Sequence, residues 1–315
     1  MTSSLFALLC LSTRREVRRE QADGESERTA WSTHNPRELV TWRSCHEKHV
    51  ASAEAFDLTD EPTRGPRRRL VLIGDSLMES WLEQTYCHHN AKFRGASAVL
   101  RGALLQSHWP KPLVLGISSD HTQHLAWRLR HGELTPRIAA NPHVLFVLLI
   151  GTNNLGGGHL PTDVSRAVEA IAQTLLNSTR GRVLVHGLLP RGDAAKRGGA
   201  LAAAAGVAKP LCSFVPYIEA VNRALNASVL GGGWLSRLYG RRIHYADCGS
   251  AFTPPAQGLA AQPAGCGKRR AANEVRVDLM PDRIHPNAAG HAEWIKCLLP
   301  AIERTARRKY LGADG

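Results

Sequence analysis

No stretch of about 18 consecutive apolar residues occurs in the chain, so no segment reads as a membrane-spanning helix. None of the seven cysteines falls in a C-x-x-C pair, which argues against a zinc cluster and leaves no metal site to propose. Neither type of glycine-rich phosphate loop is present, no segment repeats, and no cofactor is implied. Lys and Arg number 40 against 27 Asp and Glu, a net charge of +13, yet no nucleic-acid recognition motif accompanies the excess. The basic residues are scattered in short groups, such as Arg67-Arg68-Arg69, Arg241-Arg242, Lys268-Arg269-Arg270 and Arg307-Arg308-Lys309. That distribution describes a charged surface without a dedicated nucleic-acid site. What is present is 315 residues, 43% of them hydrophobic, enough to bury a sizeable core in one large α/β domain or two small ones.

The cysteines are Cys10, Cys45, Cys87, Cys212, Cys248, Cys266 and Cys297. An odd number favours a reducing compartment, and the expectation is a cytoplasmic protein, with secretion as the alternative. Cys248 and Cys266 bracket a Pro/Gly/Ala-rich loop and would be bridged in a secreted chain. The start, Leu5 to Leu11, resembles a short signal h-region but has no basic n-region before it and no clean cleavage site after it. Asn177-Ser178-Thr179 and Asn226-Ala227-Ser228 fit the glycosylation sequon, which matters only if the chain is secreted.

The stretch Leu70-Val71-Leu72-Ile73-Gly74-Asp75-Ser76-Leu77 organises the rest. Four apolar residues in a row suit a strand covered on both faces, Gly74 permits a tight turn, and Asp75 and Ser76 suit the cap of a helix starting at Leu77. Residues 1–36 read as a basic tail or targeting segment and 37–310 as a single domain. Helices are expected over Arg37–Phe56, Leu77–Tyr86, His121–Leu129, Asp163–Leu176, Tyr217–Val229 and Ala288–Arg307. On the first, Leu39, Trp42, His46, His49, Val50 and Ala53 share a face. Further strands are expected over Pro112–Gly116, Val144–Ile150, Arg182–Leu189 and Arg242–Tyr245. Residues 194–208 read as a low-complexity insertion and 249–273 as a long loop. Strands alternating with helices predict an α/β fold, a parallel sheet of about five strands with helices on both faces.

In such a sheet the carboxyl ends of the strands lie along one edge, where ligands bind. There the first strand ends at Ser76, the second at Ser119, and the third at Gly151-Thr152-Asn153-Asn154. The loop Pro281-Asp282-Arg283-Ile284-His285-Pro286-Asn287, before the last helix, can reach the same edge. Together these supply what acyl transfer needs. A serine hydroxyl requires a base, and His285 can take its proton while Asp282 holds the other ring nitrogen. The Asn153 amide and the backbone N–H groups of Ser76 and Ser119 can stabilise an oxyanion. His121 and His124, without a carboxylate or cysteine partner, read as packed or solvated.

Gly74-Asp75-Ser76-Leu77, Gly151-Thr152-Asn153-Asn154 and Asp282-Arg283-Ile284-His285 resemble the blocks of the SGNH/GDSL hydrolases. Asp120-His121-Thr122-Gln123-His124-Leu125-Ala126-Trp127-Arg128-Leu129, Gly132-Glu133-Leu134, Gly187-Leu188-Leu189-Pro190-Arg191-Gly192 and Trp42-x-x-x-His46 narrow the resemblance. They look like the catalytic α subunits of intracellular platelet-activating-factor acetylhydrolases. The resemblance implies a three-layer αβα sandwich, flavodoxin-like, and metal-free hydrolysis of short-chain, often acetyl, esters of a lipid or carbohydrate, such as a phospholipid or an acetylated sugar. It implies Ser76 as nucleophile, Asp282 and His285 completing the triad, and Ser76, Ser119 and Asn153 as the oxyanion hole. A homodimer is a further expectation. The family usually has Gly where this chain has Ser119, which makes a non-catalytic scaffold of the same fold the alternative.

Overall fold

The computed structural model describes residues 36–56, 68–107, 109–194, 213–254 and 275–307. The expected tail, all but the first residue of the insertion at 194–208, and most of the loop at 249–273 lie outside the described residues.

The described chain opens with α1 (Pro36–Glu54), then strand β1 (Arg69–Gly74) and the one-turn helix α2 (Ser76–Glu79). A 3-10 turn (Ser80–Leu82) and a small antiparallel pair, β2 (Gln84–Thr85) with β3 (His88–His89), come next. α3 (Ala96–Gln106), β4 (Leu113–Gly116), α4 (Thr122–Arg128), α5 (Pro136–Ala140) and β5 (Val144–Leu149) follow. The chain continues through α6 (Thr152–Gly156), α7 (Pro161–Ser178), β6 (Arg182–His186), α8 (Val215–Val229), α9 (Trp234–Tyr239), β7 (Ile243–Ala246) and α10 (Ala288–Arg307).

The main sheet is five-stranded, ordered β4-β1-β5-β6-β7, with every neighbouring pair parallel. That is a flavodoxin-like order, as the resemblance implies, and its switch point falls between β1 and β5. β1 and β5 are buried along their whole length, as unbroken apolar strands between two helical layers must be. One layer contains α3 packed on α10, and α10 covers β5, β6 and β7; the other contains α7 packed on α8. α1 lies beside the edge strand β4. There Trp42 and Cys45 bury against Ile117, while His46, His49 and Ala53 also face inward and Leu39 and Val50 are half-buried.

Several expected elements differ. The helix expected over Leu77–Tyr86 stops at Glu79, because Glu83, Tyr86 and Cys87 take positive φ angles of 60°, 51° and 60° and turn the chain into β2 and β3. Helices α3, α5, α6 and α9 are additional to those expected from the sequence. α7 begins at Pro161, with its fixed φ, ahead of the expected Asp163 start. Cys248 is bonded to Cys297 rather than to Cys266, which lies outside the described residues. A second disulfide joins Cys45 on α1 to Cys87, separated by 42 residues. No helix is long and apolar enough to cross a membrane, among the described residues.

Trp81 and Trp294 are fully buried with ring centroids 5.1 Å apart, and the His291 ring meets Trp81 edge-on at 4.4 Å. Burial pushes the His291 imidazole down to about 4. The unfolded chain therefore binds this proton first as pH falls, so the contribution is present above the unfolded value and is lost between about 6.5 and about 4. Its size is roughly 3 kcal/mol. Buried Asp75 and Asp120, both raised to about 7, act with the opposite sign across the whole of that window. Urea unfolding of the parent and of His291→Gln between pH 4 and 7 isolates the histidine. The stability difference between the two proteins is expected to shrink steadily as pH falls.

Candidate active site

Two glycines let the strand ends approach each other. A Cβ on Gly74 would lie 1.9 Å from the Leu149 carbonyl oxygen, and one on Gly116 would lie 2.4 Å from the Glu79 backbone nitrogen. With both bare, the turn after β1 packs directly onto the end of β4. Asp75 caps α2 in extended conformation and accepts the Leu77 N–H through Oδ1 at 2.9 Å. Its Oδ2 is buried without a hydrogen-bond partner, and burial pushes the carboxyl up to about 7. Below about pH 7 the neutral form of Asp75 predominates and adds no negative charge beside Ser76.

Ser76, 8% exposed, stands at the carboxyl end of β1 and its Oγ lies 2.8 Å from His285 Nε2. His285 Nδ1 lies 2.7 Å from Asp282 Oδ2. Asp282 Oδ1 accepts the backbone N–H groups of Ile284 at 3.0 Å and His285 at 2.8 Å, which locks the loop around its own carboxylate. Burial opposes ionisation of Asp282, but hydrogen bonds from His285 and Lys92 overcome it and hold the carboxyl well below the usual range. Gly192 N–H donates to the Arg283 carbonyl at 2.8 Å and ties this loop to the segment after β6.

The other two loops meet alongside. Asn153 Nδ2 donates to the Asp120 carbonyl at 2.9 Å, joining the end of β5 to the Ser118-Ser119-Asp120 turn. An amide nitrogen has a second N–H to offer. Ser119 has φ +65°, the left-handed conformation that glycine adopts freely and serine adopts at a cost of about 1 kcal/mol. Its backbone therefore follows the path a glycine would take at this position. Glu79 clamps the turn: its Oε2 accepts the Ser118 N–H at 2.7 Å and hydroxyl at 2.6 Å, and its Oε1 accepts the Cys87 N–H at 2.5 Å. The expected site residues Ser76, Asp282 and His285 are thus hydrogen-bonded in series, and Asn153 is bonded to the residue that follows Ser119.

The chain that carries this Ser76–His285–Asp282 series at the β1/β5 switch point has relatives. The model of the GDSL-like lipase/acylhydrolase family matches residues 72–293, from β1 to α10. The chain belongs to this family of carboxylic ester hydrolases. It is similar to human platelet-activating factor acetylhydrolase IB subunit alpha1, 34% identical over 154 residues, which cover 48% of this chain and 52% of that protein. It is also similar to the human alpha2 subunit, 40% identical over 83 residues, covering 26% of this chain and 33% of that one. The chain spans about half the length of the alpha1 relative and about a third of the alpha2 relative. The crystal structure of a GDSL-like lipase from Bacteroides thetaiotaomicron matches with a TM-score of 0.52 and 13% identity, over 82% of this chain and 97% of that one, which supports the fold.

Behind this GDSL site lies a buried charge network that the sequence did not assign. Arg128 donates through Nε to Asp120 Oδ2 at 2.8 Å, through Nη1 to Glu133 Oε1 at 2.6 Å, and through Nη2 to the Gly74 carbonyl at 2.9 Å. Trp42 Nε1 donates to Asp120 Oδ1 at 2.6 Å, and His46 and His49 approach Glu133 Oε1 through Nδ1 at 3.3 and 3.1 Å. The only hint was that Trp42, His46, Arg128 and Glu133 sit inside blocks resembling the family. His124 is buried and accepts the His121 N–H at 2.9 Å, the packed role expected for it. Cys45, His49 and Cys87 place ligand atoms within 4.8 Å of one another, but the disulfide occupies both sulfurs and leaves His49 as the lone donor for a metal.

Proposed function

We propose that the chain is a serine esterase hydrolysing a small acyl ester, acetyl in the first instance, of a lipid or carbohydrate through an acyl-enzyme. The observation that carries this is the series Ser76 Oγ, His285 Nε2, Asp282 Oδ2, at 2.8 and 2.7 Å. Ser76 Oγ attacks the ester carbonyl as its proton passes to Nε2. Asp282 holds the Nδ1–H tautomer and offsets the imidazolium charge. The oxyanion meets the N–H groups of Ser76 and Ser119 and the Asn153 amide. Collapse expels the alcohol, which takes the proton from Nε2. Water then repeats the sequence on the acyl-serine and releases the acid. The left-handed Ser119 favours this over the scaffold alternative, because its N–H keeps the orientation a glycine would give it. The human relatives are platelet-activating factor acetylhydrolase subunits, which supports an acetyl group.

The compartment we propose is an oxidising one, the secretory alternative to the cytoplasmic expectation. Two disulfides, Cys45–Cys87 and Cys248–Cys297, support it, as do the exposed sequon residues Asn177 and Asn226.

Nitrophenyl esters of increasing acyl length test the esterase. Acetyl is expected to turn over fastest, with a pre-steady-state burst of nitrophenol close to one per enzyme, because acyl-enzyme accumulates. Asn153→Ala is expected to lower kcat by about 10²–10³ while changing KM little, since the amide acts on the transition state. Unchanged kcat in that variant would remove Asn153 from the oxyanion hole.

A further inference from the structure

Lys92 enters the site from a turn that no motif marks. It lies in the 3-10 turn Ala91–Phe93, capped by Asn90, whose side chain accepts the Lys92 N–H at 3.0 Å. The Lys92 ammonium donates to Asp282 Oδ2, the same oxygen that takes the His285 Nδ1–H, and lies 3.3 Å from Nδ1 itself. On its other side the ammonium lies 5.2 Å from the centre of the Phe93 ring, which in turn meets His285 edge-on at 5.7 Å. Phe93 is buried, so the cation is held between a fixed ring and a fixed carboxylate.

Asp282 therefore serves four donors: two backbone N–H groups on Oδ1, and His285 and Lys92 on Oδ2. In a serine relay the aspartate charge is what stabilises the imidazolium that forms on the base. Here a second cation draws on that charge. With Nδ1 donating to Oδ2, the approach of the ammonium to Nδ1 is repulsive once the ring is protonated. The other groups facing His285 do not replace it. His291, from α10, stays neutral down to about 4. Arg283 shares the loop with Asp282.

Building on the esterase reading, we propose that Lys92 is a positioning residue that sets the acid limit of the relay. By sharing Asp282 it disfavours the protonated form of His285, so the base stays free to accept the serine proton at lower pH. It also pins Oδ2 against rotation. The two side chains are about one-third exposed, at 36% and 34%, so water screens the effect. Charges at this separation and exposure shift a proton equilibrium by about one pH unit.

The test compares the pH dependence of kcat/KM for nitrophenyl acetate in the full chain, Lys92→Met and Lys92→Arg. The midpoint of the acid limb is expected to rise by about one pH unit in Lys92→Met and to return to the parent position in Lys92→Arg, which restores the charge. Coincident limbs in parent and Lys92→Met would overturn the proposal. A second measurement does not depend on turnover: the His285 ring is titrated by NMR in Ser76→Ala, with and without Lys92→Met, its resonance identified by loss in His285→Gln. A displaced titration there, beside a parent with Ser76 intact that hydrolyses no nitrophenyl ester, would sink the esterase reading and uphold the coupling. An undisplaced one would overturn the Lys92 proposal whatever the activity.

Discussion

Ser76→Ala is expected to lower kcat for nitrophenyl acetate by on the order of 10⁴–10⁶, leaving only what the oxyanion donors and binding supply. The residue is placed for that size of effect. Its Oγ faces His285 Nε2 at 2.8 Å and sits at the switch point of the sheet, where a ligand can enter. Removing a hydroxyl from a site 8% exposed costs little packing, so the fold should survive and circular dichroism should not change. The three relay residues act as a unit, so Ser76→Ala/His285→Ala is expected to be no slower than Ser76→Ala alone. Hydrolysis at equal rates in the parent and Ser76→Ala, after subtraction of the buffer rate, would show that Ser76 is not the nucleophile.

Arg128→Ala is expected to destabilise the fold by about 3–5 kcal/mol, read as a fall in the urea midpoint with an unchanged slope. Arg128, Asp120 and Glu133 have fully buried side chains, and one guanidinium compensates both carboxylates. Burial opposes ionisation of Glu133, and Arg128 is the chief group that overcomes it and holds the carboxyl well below its usual range. Without the cation both acids are left uncompensated, and the Gly74 carbonyl loses its 2.9 Å donor two residues before the nucleophile. Trp42, His46 and His49 meet the same two acids from α1. Loss of Arg128 should therefore loosen the seat of α1 as well as the Ser119 turn. Arg128→Lys is expected to recover little, because a single ammonium cannot reach Asp120, Glu133 and the Gly74 carbonyl together. Stability within 1 kcal/mol of the parent (roughly the size of a typical point mutation) would show that the network contributes little net energy.

The strand–glycine–Asp75–Ser76 junction, the parallel order and the Asp282–His285 pair could all be read from the chain. Each depends on local chemistry: an apolar run, a turn that needs glycine, a spacing of three that lets a carboxylate meet its own loop's imidazole. The same locality explains the differences. The residues after Glu79 look helical by composition, yet positive φ at Glu83, Tyr86 and Cys87 sends them into a hairpin stapled to α1 by Cys45–Cys87. Cys248 looked towards Cys266 along the chain but bonds Cys297 across it, because α10 packs on β7.

By itself, then, the sequence determined the fold class and the family and pointed to Ser76, His285 and Asp282, which the fold brings into one hydrogen-bonded series, since these follow from periodicity and from short blocks whose chemistry is local. Only the tertiary structure decided what surrounds the relay. Lys92 reaches Asp282 from 190 residues away, Arg128 joins Asp120 and Glu133 to the carbonyl of Gly74, and Ser119 takes a glycine's conformation because the Glu79 clamp and the Asn153 bond hold its neighbours. Such contacts arise from long-range packing, where burial and charge compensation, not spacing along the chain, choose the partners.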